Sequence, residues 1–223
     1  MYMYRFFVQP QVNAMTQKLM GYELLLRSYC HDYWETPTNF DAIPMDQQVS
    51  LSYQEIVNIF RDHRDNPTIS FNLNRKQFTD KLTIGNLIHL TKSVKGLNLV
   101  VELTEAPRLE ELQKYVAIYR AFGIKLSLDD VGTDNPWGQR TQEIMPFMDT
   151  IKFAMQNFRL QHRQAELMDS LKTWRKIADL YQLDFVLEGI EDKQDELLAQ
   201  EYNAKMAQGY YYSKPIPYTE ELA

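Results

Sequence analysis

Eight short, apolar, β-rich runs recur along the chain with helical patterns between most of them, and this alternation limits the fold more than any other feature. The runs are YRFFVQP (4–10), MGYELLLR (20–27), TISFNLN (68–74), LNLVVELTE (97–105), IKLSLDD (124–130), DTIKFA (149–154), DFVLEGIE (184–191) and MAQGYYYS (206–213). Helical periodicity covers about 45–64, 75–94, 106–122, 139–148, 160–182 and 192–203. Continuous apolar strands alternating with helices indicate an α/β chain with a mostly parallel sheet. Eight such strands in 223 residues predict a single domain, 1–223, folded as a (β/α)8 TIM-like barrel. One feature modifies that barrel. Only about nine residues, 11–19, join the first two runs, and a parallel crossover needs a dozen or more. The first strand is therefore predicted to be antiparallel. After Pro217 only YTEELA remains, which leaves room for a helical stub.

Composition excludes several classes. A net charge of −6 argues against DNA or RNA binding through a basic face. The one cysteine, Cys30, excludes an internal disulfide and a cysteine-based zinc site and fits a reducing cytoplasm. No apolar stretch approaches the length of a membrane span. MYMYRFFVQP reads as a strand rather than a signal peptide.

The polar residues in or at the ends of the runs are Gln9, Glu23, Asn72, Glu102, Glu105, Asp129, Asp130, Lys152, Glu188, Glu191 and Gln208. Taken singly, each has an ordinary reading as a turn former or a solvated side chain, and Lys152 as a snorkelling lysine. Glu23 is more informative, because it interrupts YELLL and a buried carboxylate needs a partner. In a barrel the strand ends converge on one mouth. Five or more carboxylates there would repel one another unless cations offset them. All-oxygen ligation favours Mg²⁺ or Mn²⁺, and two such ions suit phosphoryl displacement.

At this point the chain resembles the EAL domain family, bacterial phosphodiesterases that linearise cyclic di-GMP. The family's Glu-Ala-Leu reads Glu23-Leu24-Leu25 in GYELLLR. VQPQ resembles its Gln-Pro-Ile strand, ISFNLN its Asn segment, VELTE its Glu-x-x-Glu and LDDVGT its Asp-Asp-Phe-Gly-Thr-Gly. IKFA carries the lysine, LEGIE resembles Glu-Gly-Val-Glu, and QGYYYSKP the closing Gln-Gly-Tyr-x-x-x-x-Pro. The resemblance implies that Glu23, Asn72, Glu102 and Asp129 ligate one metal, and that Asp129 bridges to a second held by Asp130 and Glu188. It implies that Lys152 positions the attacking water, that Glu191 orients that lysine, and that Glu105 anchors the loop after Asp130. Gln9, Arg27 and Gln208 would contact substrate. It further implies a homodimer working in the cytoplasm on cyclic di-GMP.

Three departures accompany the resemblance. The loop after the paired aspartates reads Val131-Gly132-Thr133-Asp134-Asn135-Pro136-Trp137, where the family has Phe-Gly-Thr-Gly-x-Ser-Ser. Asp134 in place of glycine predicts backbone strain and a loosely held second metal. Ser28 and Tyr29 follow Arg27 where the family has a tryptophan. The chain also begins at its first strand, so regulation is expected from a partner protein, the dimer or expression level. The alternatives are a cyclic di-GMP receptor without turnover and a protein-interaction module.

Overall fold

The structure, a computed structural model, describes residues 3–40, 43–63 and 65–218. Strand β1 (Met3–Asn13) turns at 14–18 into β2 (Leu19–Cys30), and the two form a long antiparallel hairpin. The strands outrun the runs 4–10 and 20–27 visible in the sequence, because the ladder continues through Met3 paired with Tyr29 at one end and Val12 paired with Leu19 at the other. A short β3 (Tyr33–Glu35) folds back on the far end of β2 and takes no part in the barrel.

The remaining barrel strands are β4 (Thr68–Leu73), β5 (Asn98–Leu103), β6 (Lys125–Leu128), β7 (Thr150–Ala154), β8 (Asp184–Glu188) and β9 (Met206–Gln208). From β2 through β9 every neighbouring barrel pair is parallel. Strand β1 closes the ring, antiparallel to both β2 and β9. The fold is thus a modified TIM-like barrel with an antiparallel first strand, as the short 11–19 connection requires.

Helices α1 (Met45–Asp62), α2 (Arg75–Thr79), α3 (Lys81–Ser93), α4 (Leu109–Ala121), α5 (Gln139–Ile144), α6 (Met155–Leu160), α7 (Gln164–Tyr181) and α8 (Lys193–Glu201) accompany the strands. Two boundaries differ from the periodicity. The expected 75–94 helix breaks at Asp80, whose carboxylate accepts hydrogen bonds from the Thr83 backbone N–H and hydroxyl and caps α3. Asn74 likewise caps α2 in a capping box with Gln77. The expected 160–182 helix begins only at Gln164, and α6 precedes it, entered directly from β7 at Ala154. The C-terminal stub lies, beyond Tyr218, outside the described residues.

Packing around the ring holds the strand ends in place. Trp174 of α7 and Tyr119 of α4 are fully buried. Tyr119 stacks on Phe78 at 5.1 Å and donates to the Phe78 carbonyl.

Candidate active site

Strand register builds the site before any side chain is considered. Gln9 pairs with Glu23, Asn72 with Glu102, and Glu188 with Gln208. Asn72, Glu102, Glu188 and Gln208 lie at the C-terminal ends of parallel strands, where a barrel concentrates its chemistry, and the antiparallel β1 brings Gln9 level with them beside Glu23. Asp129 and Asp130 follow the end of β6, and Lys152 stands mid-strand in β7. The glycines of LEGIE and QGYYYS let the segments after β8 and β9 meet. A Cβ on Gly209 would fall 2.2–2.7 Å from the Ile190 backbone, and one on Gly189 2.1 Å from Gln156 Oε1.

At the centre is the Lys152 ammonium, 1% exposed. Its Nζ lies 2.6 Å from Glu188, 2.7 Å from Glu102, 3.2 Å from Glu23 and 3.6 Å from Asp129. Glu23 is further held by Asn72 Nδ2 at 2.7 Å and Gln208 Nε2 at 2.6 Å. Gln208 also donates to Gln9 and accepts from Gln11. Gln11 is buried and was not foreseen; its place in β1, two residues after Gln9 on the same strand face, was the available signal. Asn157 of α6 was missed too, and its amide donates to Asp130 at 2.7 Å.

Charge is out of balance here. Glu23, Glu102, Asp129 and Glu188 are buried, Asp130 is half-buried, and among the described residues Lys152 is the only ammonium paired with the four buried carboxylates. Burial pushes Glu102 up to about 8 and Asp130 to about 7, the latter helped by Asp129. It also raises Asp129 and drives Glu188 well above the carboxylate range. Burial opposes ionisation of Glu23 as well, but Lys152, Asn72 and Gln208 together lower it. Burial alone would depress Lys152; the surrounding carboxylates instead hold it well above its ordinary range. Such a cluster favours any added cation. Oxygen atoms of Asp129, Asp130 and Glu188 lie within 4.8 Å of one another. This all-oxygen, carboxylate-rich donor set fits divalent magnesium, manganese or calcium.

A cleft of about 600 Å³ opens over Glu23, Asp129, Asp130 and Glu188. Arg27 lines it and also a smaller apolar pocket of about 290 Å³ beside Asn72 and Phe71. Its guanidinium donates to the Leu26 carbonyl.

Two expected site residues stand apart from this cluster. Strand β5 ends at Leu103, so Glu105 turns outward, is exposed, and borders a separate cleft with Asp134 and Asn135. Glu191 lies past the turn at Gly189, on the wall of the 600 Å³ cleft but away from the ammonium. Its side chain is 54% exposed and pairs with Arg159 at 3.4 Å rather than with Lys152. The strain expected at Asp134 is also absent: Asp134 is exposed and is not among the positive-φ residues. The left-handed positions of the loop fall on Asp130 and Gly132 instead. No helix of the described residues is long and apolar enough to cross a membrane.

Comparison with known proteins agrees with this architecture. The family model described as "EAL domain" matches residues 4–215. The oxygen sensor protein DosP of Escherichia coli K12 is 26% identical, over 95% of this chain and 28% of DosP. The probable cyclic di-GMP phosphodiesterase PdeD of the same organism is 23% identical, over 96% of this chain and 42% of PdeD. The chain therefore spans well under half the length of these two relatives. The YkuI protein of Bacillus subtilis, solved with an EAL domain in complex with substrate c-di-GMP and calcium, superposes with a TM-score of 0.74. It is 22% identical, and the match covers 97% of this chain and 55% of YkuI. With the family model covering nearly the whole chain, and the barrel, register and carboxylate ring already in place, this protein belongs to the EAL domain family.

Proposed function

We propose that this chain hydrolyses cyclic di-GMP to the linear dinucleotide with the help of two divalent cations, magnesium or manganese. The observation that carries this reading is the convergence of Glu23, Glu102, Asp129 and Glu188 on the Lys152 ammonium, with Asp130 beside Asp129 and Glu188, beneath an open cleft. Bound cations would lower the pKa of water and offset charge on the phosphate. Glu23, Asn72, Glu102 and Asp129 would hold one, and Asp129, Asp130 and Glu188 the other. Arg27 and Gln9 stand at the cleft to receive phosphate and base edges. Lys152 offers a buried positive charge as negative charge builds on the phosphorane. Gln208 keeps Glu23 ionised and oriented. In the reaction, water oxygen bonds to phosphorus, the bond from phosphorus to the 3′ oxygen breaks, and that oxygen leaves as a hydroxyl. The product keeps a 5′ phosphate.

A receptor reading has one observation in its favour, the altered loop 131–137. Calorimetry with cyclic di-GMP in calcium, followed by turnover in manganese, separates the two. The enzyme reading expects binding in calcium and product in manganese; binding with no product in manganese would overturn it. A homodimer belongs to the same reading and is tested by sedimentation with and without cyclic di-GMP.

A further inference from the structure

Asn135 is 3% exposed, although its neighbours Asp134, Pro136 and Trp137 in the loop are exposed. Its amide nitrogen donates to the Asp129 carbonyl at 2.6 Å and to the Thr104 carbonyl at 3.1 Å. Its amide oxygen accepts from the Ala106 N–H at 2.9 Å. Its own backbone N–H reaches the Asp130 carbonyl, and its carbonyl receives the Gly132 N–H. Every hydrogen-bonding group of the residue is thereby used. One side chain joins the end of β5 to the end of β6 and closes the loop that carries both aspartates.

We propose that Asn135 is a positioning residue that fixes Asp129 and Asp130 for cation binding. The anchoring task expected of Glu105 falls to it, since Glu105 is exposed and turned outward. This inference rests on the functional reading above. The physical reason is strain and freedom. Asp130 occupies the left-handed region at φ +50°, a conformation that persists only where neighbours enforce it. Asn157 holds the Asp130 carboxylate, but the Asn135 side chain holds the carbonyl of the Asp129–Asp130 peptide itself and ties it to Thr104. Without it, both carboxylates keep their chemistry and lose their fixed separation.

The experiment compares the full chain with Asn135→Ala and Asn135→Asp. The aspartate preserves the volume and the acceptor for Ala106 and removes both donors. Its extra negative charge would by itself attract cations, so weaker binding there reports lost positioning. In EDTA, amide exchange of the 126–137 peptide is expected to rise in both variants. Manganese affinity, by calorimetry without nucleotide, is expected to fall about tenfold to a hundredfold, as for residues that orient metal ligands. Turnover is expected to fall with little change in KM. Variants that melt earlier but bind manganese as the parent does would overturn the proposal and leave Asn135 a structural residue. Unchanged exchange of 126–137 would overturn it as well. If the folded parent binds no manganese, the functional reading fails, and the exchange arm alone decides whether the tether exists.

Discussion

Lys152→Met places the sharpest demand on this account. The substitution keeps length and volume and removes an ammonium that four buried carboxylates share. Removing one partner of a buried ion pair leaves charge uncompensated and costs about 3–5 kcal/mol. For a chain of this length each kcal/mol moves the melting temperature by about 2–4 °C, so a fall of roughly 6–20 °C is expected in EDTA. Saturating manganese should close most of that gap, because added cations restore the missing positive charge. Activity should not recover with it, because charge stabilisation of the kind Lys152 supplies is typically worth about 10²–10³ in kcat. Differential scanning fluorimetry, with and without manganese, reads the first two effects, and a turnover assay the third. An unchanged melting temperature in EDTA would refute the reasoning, since Lys152 would then carry none of the cluster's charge balance.

Manganese at about a hundred times its Kd should stabilise the parent by about 2.7 kcal/mol, or roughly 5–11 °C, and denaturation curves with and without it check this. Gln208→Ala frees Glu23 and Gln9 together, so kcat should fall about 10–100-fold in a turnover assay while circular dichroism stays native. On the outer surface, the hydrogen bonds from Arg75 hold Glu111 down at about 2. A carboxylate lowered in the folded state adds stability above its ordinary range and loses it as pH falls from there toward about 2. Glu111→Gln should therefore cost about 1 kcal/mol or less at neutral pH, with the difference from the parent vanishing near pH 2 in urea titrations.

Sequence made the barrel legible because its signals are local and repeated. The 11–19 connection was too short for a crossover, and that alone foretold the antiparallel β1. The Asp80 break was hidden because no glycine or proline marks it; a capping carboxylate does the work inside an unbroken apolar rhythm. Helix α6 was hidden because β7 runs into it at Ala154 with no loop between. At the site, residues on strands were easier to place than residues past strand ends. Glu23, Asn72, Glu102, Lys152 and Glu188 follow the register, whereas Glu105 and Glu191 depend on how the chain turns after Leu103 and Glu188. Gln11 and Asn157 act through hydrogen bonds to other site residues. Neither interrupts an apolar run, so neither announced itself. Asn135 looked like ordinary turn chemistry, and only the ends of β5 and β6, brought together by the sheet, reveal what it joins.

Hydrolysis in ¹⁸O-labelled water tests the central claim most directly. The full chain would be incubated with cyclic di-GMP, first in manganese or magnesium and then in EDTA, and the nucleotides analysed by mass spectrometry. The account expects the linear dinucleotide with one ¹⁸O in its 5′ phosphate, formed only when the divalent cation is present. Intact cyclic di-GMP in manganese and in magnesium, or undiminished hydrolysis after verified removal of metal, would contradict it.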